Sequence, residues 1–391
     1  MTLASRRIAI VGAGIGGLTA ALELARLGFR VALHERAARL EEVGAGLQLS
    51  PNALRVLDRL GLMPALRARG CEARQVTLRD GRSGRVVAKV PVHAGDGTPY
   101  LSIHRADLQG VLAEAVAAEP AIDFRLGSEL CGIEPTAGSA VRVTLGQQDG
   151  KATGGFEADL LIAADGVHST IARSLGLPGP VATGAIAWRT QIPATGIAGG
   201  AQAEITAWLG PRRHAVSYPV RDRQGINLVL IEPAGDAPDP DPAGLSRRFG
   251  GWNATLTRLI AIAERPTFWP LLGIDRGRSW RLLDDRIVLL GDAAHAMLPY
   301  AAQGAAMAIE DAAVLAASLA TTPSTSAALA AYEAARRPRI DRVRERVDFH
   351  RRVYHLRFPL TLGRDAVLSL RSAASLRDDL AWLYDWQPPS A

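Results

Sequence analysis

The sequence predicts an α/β fold with α+β character: a parallel nucleotide-binding unit, a mainly antiparallel sheet domain and a helical C-terminal end. Three observations predict it. The chain opens with a strand, a glycine-rich turn, a helix and a second strand. Two further buried strands, near residues 160 and 287, each run into a Gly/Asp pair. The segments between alternate and turn in the manner of antiparallel sheet. With 391 residues, 48% hydrophobic and 21% charged, the chain can bury a large core, and more than one domain is expected.

The opening unit is "RRIAIVGAGIGGLTAALELARLGFRVALHERA". Ile8 to Val11 form an apolar strand. Gly12, Gly14 and Gly17 fit G-x-G-x-x-G, and each glycine has a mechanical duty. Gly12 permits the turn, Gly14 lets backbone N–H groups approach a pyrophosphate, and Gly17 lets the helix lie close to the strand. Leu18, Ala21, Leu22, Ala25 and Leu27 supply the buried face of the helix, and Gly28 ends it. The helix N-terminus favours negative charge. Glu35, at the carboxyl end of the next strand, suits a ribose diol. This Rossmann-like unit predicts a dinucleotide and leaves NAD and FAD open.

Two later stretches extend the pattern. "FEADLLIAADGVHSTIARSLG" is a buried strand from Asp159 to Ala164, then Asp165-Gly166, Ser169 and Arg173. "RIVLLGDAAHAMLPYAAQGAAMAIEDAAVLA" is a strand from Arg286 to Leu290, then Gly291-Asp292, then bare backbone until a helix from about Ala305. The ordered set G-x-G-x-x-G, D-G-x-x-S-x-x-R and G-D-A-A-H-x-x-x-P resembles the FAD-dependent aromatic hydroxylases, the single-component flavoprotein monooxygenases, over about residues 6–355. "GAGLQLSPNALRVLDRLGL", "SIHRADLQ" and "AAQGAAMAIEDAA" are similar to the salicylate hydroxylase branch. The wider family often has Gly where Ala302 stands and Asn where Ala306 stands.

The resemblance implies a non-covalent FAD and assigns residues to it. Gly12, Gly14 and Gly17 with Glu35 and Arg36 take the adenosine and pyrophosphate end. Arg105 reaches the phosphates or ribityl chain, Gly46 lies by the flavin, and the Leu130 backbone meets the adenine. Asp292 bonds the ribityl hydroxyls or sits beside the pyrophosphate. Pro299 to Gly304 pass the ring, and the following helix points its N-terminus at the pyrimidine edge. Asp165 has two readings, a bridge between FAD and the reductant path or a helix N-cap.

The domain expectation follows from these placements. Residues 1–75, 100–180 and 275–330 make a discontinuous FAD-binding domain. Residues 76–99 and 181–274 make the substrate-binding sheet, with a Pro-rich loop at 235–244, and residues 331–391 are helical. There is one dinucleotide fingerprint, so NADH or NADPH, as reductant, has no domain of its own and visits transiently.

The family chemistry implied is reduction of FAD by NAD(P)H and addition of O₂ to give a C4a-hydroperoxide. That species attacks a phenolic or hydroxylated aromatic or heteroaromatic acid made electron-rich by ionisation. The protein then needs a base. In "RRHAVSYPV", strand alternation puts His214, Val216 and Tyr218 on one face. His214 suits a phenol proton near neutral pH, and Tyr218 can orient the hydroxyl or pass the proton on. Gln48, Pro299 and Tyr300 are expected around the substrate. Arg189 and Arg212 are candidates for a substrate carboxylate, and the sequence chooses neither between them nor between an acid and a phenol lacking a carboxylate. His295 is read as a structural hydrogen bond, while His34, His93, His104, His168, His350 and His355 show no metal-ligand spacing.

Composition narrows the partners. Residues 336–357 hold nine arginines against three acidic residues, which accounts for the whole net charge of +6. Ile340, Val343, Val347 and Tyr354 recur there at helical spacing, so this reads as a solvated helix or a subunit contact and not as a nucleic-acid site. The two cysteines, Cys71 and Cys131, suit neither a zinc site nor a disulfide framework, which predicts a reducing cytoplasm. No apolar run approaches the ~20 residues of a membrane span. A monomer or homodimer is expected. The alternatives are another flavoenzyme of this fold (epoxidase, halogenase or reductase) or a flavin-binding redox sensor without turnover. A halogenase should carry a W-x-W-x-I-P-type run and a catalytic lysine. The nearest run here is "AWRTQIP", and no lysine follows Lys151.

Overall fold

The computed structural model describes residues 6–40, 45–146, 152–193, 204–221, 224–235, 242–263 and 266–390. Most of the Pro-rich loop expected at 235–244 lies outside the described residues.

A six-stranded sheet runs in the order Arg281–Leu282, Ile287–Leu289, Leu160–Ala163, Ile8–Val11, Val31–His34, Ile122–Arg125. All neighbours are parallel except the edge pair Arg281–Leu282 with Ile287–Leu289. Ile8–Val11 and Leu160–Ala163 are buried at every position, as strands covered on both faces must be. The expected strand at 159 begins one residue later, because Asp159 turns its carboxylate to the Arg7 backbone N–H (2.9 Å) and guanidinium (2.8 Å). The three glycine-ended strands therefore stand side by side, and their carboxyl ends open on one crevice.

A seven-stranded sheet runs in the order Thr267–Gly273, Val181–Pro193, Gly225–Pro233, Arg213–Val220, Ile205–Gly210, Gln75–Asp80, Val86–Pro91. It is antiparallel apart from Ile205–Gly210 beside Gln75–Asp80. Two small three-stranded sheets complete the β-structure. One is Gly46–Leu49, Tyr100–His104 and Cys71–Ala73; the other is Glu129–Pro135, Val141–Gly146 and Ala152–Ala158.

The helix Gly304–Thr321 packs against the dinucleotide helix Ile15–Arg26 on one side and the long helix Thr325–Tyr354 on the other. It is long and apolar enough to cross a membrane by length and composition, contrary to the sequence expectation. Here it is the central core helix, with 72% of that stretch buried.

The long helix also departs from expectation. Ile340, Val343 and Val347 are buried as the periodicity predicts, but Arg336 is not on a solvated face: it is 1% exposed. Its Nε donates to Asp311 Oδ1 (2.7 Å), its Nη1 bonds Glu310, and its Nη2 donates to the Met307 carbonyl (3.2 Å). Two acidic side chains in the middle of the core helix need a cation, and an arginine at the right turn of the next helix supplies it.

Candidate active site

The glycine turn is built as its spacing requires. Gly12 has φ +103°, and a Cβ there would lie 2.4 Å from the Ala164 carbonyl oxygen. A Cβ on Gly17 would lie 1.9 Å from the Gly12 carbonyl oxygen, so helix and turn touch through bare backbone. A Cβ on Gly14 would meet nothing within 4 Å, because Gly14 faces a cavity of about 670 Å³. Glu35 closes the turn: its Oε2 accepts from Ala13 N (2.8 Å) and its Oε1 from Ala37 N (3.0 Å).

Several distant segments meet around that cavity. Gly14, Gly46, Arg105, Asp292 and Gly304 line it from the nucleotide side. Gln48, Arg189, His214, Tyr218, Pro299 and Tyr300 line it from the side of the large sheet and the loop that begins at Pro299. Six of the expected cofactor residues do not line it: Gly12 and Gly17 build the turn behind Gly14, and four others stand further off. Arg36 is exposed beyond Glu35. Leu130 is half-buried in the strand Glu129–Pro135, two residues past Ser128, whose N–H donates to the Glu35 carbonyl (2.8 Å). Glu35 itself lies behind the glycine turn. Asp165 Oδ2 accepts from Ile171 N (3.1 Å) at the start of the helix Thr170–Ser174, while Ser169 is the formal cap. Asp165 Oδ1 is buried with no partner among the described residues, and the neighbouring Gly166 lines the cavity.

The residues present fit an FAD. The helices Ile15–Arg26 and Gly304–Thr321 both begin on the cavity, and neither has a side-chain cap or an acidic residue in its first turn. Their leading N–H groups are therefore free for a pyrophosphate and for the pyrimidine edge of a flavin. Gly304 faces open space, as Gly14 does. Between them the chain from Pro299 to Ala302 passes the cavity in a short 3₁₀ turn, and Ala302 takes φ 52°, the left-handed region where the wider family often has Gly. The side chain of Asp292 is exposed to the cavity. The turn that presents it is pinned from below: His295 Nε2 lies 2.5 Å from Asp311 Oδ2, which also accepts from Gly291 N (3.2 Å). His295 is thus the structural hydrogen bond that the sequence suggested.

The large sheet supplies the opposite wall. His214, Val216 and Tyr218 all face the cavity, as strand alternation predicts. His214 is 1% exposed, and burial, followed by His355 and His350, pushes its imidazole well below the ordinary histidine range. It sits in an aromatic box, with ring centroids 5.1 Å from Tyr300, 5.5 Å from Tyr354 and 5.1 Å from His355.

Tyr218 is expected from the sequence to orient a substrate hydroxyl or to pass its proton on. Its hydroxyl donates to the Gly46 carbonyl (2.6 Å), so it offers a cavity ligand an acceptor and not a proton. Gly46 N in turn donates to Asn227 Oδ1 (2.7 Å), and a Cβ on Gly46 would lie 2.6 Å from the Tyr218 ring. This glycine is where the nucleotide half and the sheet half are tied together. Gln48 accepts from the Tyr100 hydroxyl (2.8 Å).

The structure separates the two candidate arginines. Arg212 lies on a second, outer cavity, whereas Arg189 lines the main one with its Nε buried and without a hydrogen-bond partner among the described residues. Burial lowers the Arg189 pKa from its usual value, and nearby Arg105 adds to that.

Sequence reasoning missed three features. Under the ring-facing loop, Gln303 bonds Ser50 (3.0 Å), and Asn52 donates to Glu310 (2.6 Å). The helices Leu360–Leu370 and Ala373–Tyr384 wall the cavity with Leu368, Leu376, Leu380 and Tyr384. The i, i+4, i+8 spacing of the last three was a readable signal. His350 on the long helix and His355 just past its end join His214, and no local spacing could show that. Among the described residues no group of three or more His, Cys, Asp or Glu is placed to hold a metal.

Comparison with known proteins agrees with this geometry. Residues 6–347 match the FAD binding domain family. The 3-amino-4-hydroxybenzoate 2-monooxygenase of Streptomyces cremeus is 38% identical, covering 97% of this chain and 94% of that protein. The 3-hydroxybenzoate 6-hydroxylase of Klebsiella oxytoca is 33% identical, covering 97% of each. Among solved structures, Klebsiella pneumoniae HpxO complexed with FAD and uric acid superposes with a TM-score of 0.83 at 27% identity, covering 97% of each chain. The chain belongs to the FAD-binding family of aromatic hydroxylases and is a flavoprotein monooxygenase with FAD as its cofactor.

Proposed function

We propose that the protein hydroxylates a small phenolic aromatic acid, consuming O₂ and NADH or NADPH, with His214 as the base. One observation carries this reading: a buried imidazole, His214, and a guanidinium whose Nε is buried without a hydrogen-bond partner among the described residues, Arg189, share one cavity with the chain at Pro299 to Ala302 and Gly304. Similarity to relatives named for 3-amino-4-hydroxybenzoate and 3-hydroxybenzoate supports the substrate class.

Gly14, Arg105, Asp292 and the two uncapped helix starts would hold FAD, with its ring along residues 299–304. When bound, FAD supplies two-electron chemistry with the nicotinamide reductant and an electrophilic oxygen atom. The chain's own residues do the rest. Arg189 Nε binds the substrate carboxylate and thereby fixes the ring's orientation. Tyr218 and Gln48 offer acceptor oxygens at the substrate edge. His214 takes the phenolic proton, which makes the ring electron-rich. The aliphatic wall from the large sheet and the C-terminal helices excludes water, which would otherwise divert the reactive oxygen.

The test is His214→Ala. We expect product formation to fall by about 10²- to 10⁴-fold with FAD content unchanged, and to recover in part at high pH, where the phenol ionises unaided. Unchanged product formation would remove His214 from the mechanism.

A further inference from the structure

The two nitrogens of His214 have different surroundings. Nδ1 lies 2.9 Å from Nε2 of His355, whereas Nε2 makes no hydrogen bond among the described residues. His214 lines the main cavity. His355 is half-buried and lines a second cavity of about 270 Å³ on the other side, whose rim includes the exposed Arg351 and Arg352. Tyr300 lines both cavities and packs on both imidazoles, with ring centroids 5.1 Å from His214 and 5.6 Å from His355. The imidazole pair therefore passes through the wall that separates the reaction cavity from the outer pocket.

We infer that His355 is a positioning residue for the base: it fixes the His214 tautomer and passes the substrate's phenolic proton out to the second cavity. This rests on the reading of His214 as the base. At rest, His214 carries its proton on Nδ1 and donates it to His355 Nε2, leaving a lone pair on Nε2 for the substrate. The phenolic O–H bond breaks and its proton binds His214 Nε2. The Nδ1 proton moves to His355 Nε2, and His355 releases its own Nδ1 proton to water in the outer pocket. One phenolate and one solvent proton result, with no change in oxidation state, and each imidazole ends as the opposite neutral tautomer.

The surroundings favour passage over storage. In many base–imidazole pairs a carboxylate stabilises the imidazolium. Here the titratable groups facing His214 among the described residues are His350, His355, Tyr300 and Tyr354, and none of them is a carboxylate. His350 is turned away, its Nδ1 bonded to the Tyr300 carbonyl (3.1 Å) and its ring stacked on Tyr354. His355 faces Arg351, and its pKa is lowered to about 4 by burial and then by that arginine. Glu232, across the outer pocket, already accepts from Trp188, Arg213 and Arg248. An imidazolium held at either position would be a buried, uncompensated cation, so the proton must travel on.

The experiment uses the FAD-loaded full chain and 3-amino-4-hydroxybenzoate as probe. Oxidised enzyme is mixed with the probe in a stopped-flow instrument, without reductant, and phenolate absorbance is followed with a pH indicator. His355→Gln is the decisive variant, because its amide can still hold His214 Nδ1 but cannot carry a proton. His355→Ala opens space for added imidazole. The account predicts that both variants bind the probe as the parent does and form phenolate about 10²-fold more slowly. It also predicts that imidazole rescues His355→Ala, and that the variant rates rise with pH while the parent's stays flat near neutrality. If His355→Gln forms phenolate at the parent's rate while His214→Ala does not, the relay falls and the base stands. If His214→Ala is also as fast as the parent, or no phenolate forms even in the parent, both readings fall together.

Discussion

At Gly17 the spacing of one motif becomes a contact between atoms. A β-carbon there would lie 1.9 Å from the Gly12 carbonyl oxygen and 3.3 Å from the Ala164 Cβ, so it would push the helix off the turn. Gly17→Ala is therefore expected to destabilise the protein by about 3 kcal/mol or more, read as a lower urea midpoint, and to release FAD. An unchanged midpoint would mean that the turn is looser than described. The glycines and the face of His214 were legible in the sequence because each is a local constraint, fixed by a turn or by strand alternation. Tyr218 was placed on the correct face, but its partner, the Gly46 carbonyl, stands 172 residues away, so its tie between halves was not legible. His355 is hidden for the same reason, 141 residues from His214.

Between elements, the decisive joint is the one that aims Asp292. Arg336 on the long helix grips Glu310 and Asp311 on the core helix, and Asp311 then holds His295 and the Gly291 N–H. Burial pushes the Asp311 carboxyl up, but His295 and Arg336 outweigh it and hold the pKa below its usual value. Removing the cation leaves Asp311 with His295 and the Gly291 N–H as its remaining partners, while Glu310 keeps Arg339 and Asn52. Arg336→Met should cost about 3–5 kcal/mol of stability, measured by chemical denaturation, and should raise the FAD off-rate because the Asp292 turn is no longer pinned. Full stability with unaltered FAD retention would contradict the coupling. The sequence showed only an arginine-rich helix with an apolar stripe. Which arginine turns inward is decided by two acids on another helix, and no periodicity within residues 336–357 records that.

For the whole molecule, burial of imidazoles links stability to pH. His34, His350 and His355 each have pKa values lowered from about 6.5 to about 4, with burial the largest cause. The unfolded chain takes up these protons as pH falls below about 6.5, while the folded chain refuses them until about pH 4. The stabilisation is thus fully present above about 6.5 and is lost progressively from there to about 4. The melting temperature should be lower near pH 5 than near pH 7.5, and equal values would mean that these rings titrate freely. Of these rings, His350 lines the cavity shared by the nucleotide half and the large sheet, and His355 lies behind its wall beside His214. The assignment of function depends on that shared cavity. The most direct test is mass spectrometry of the product formed from 3-amino-4-hydroxybenzoate or 3-hydroxybenzoate with NADH or NADPH under ¹⁸O₂. The account predicts a ring-hydroxylated product carrying one ¹⁸O atom. Oxidation of the nicotinamide with all the oxygen recovered as hydrogen peroxide, and no labelled product from either acid, would contradict it.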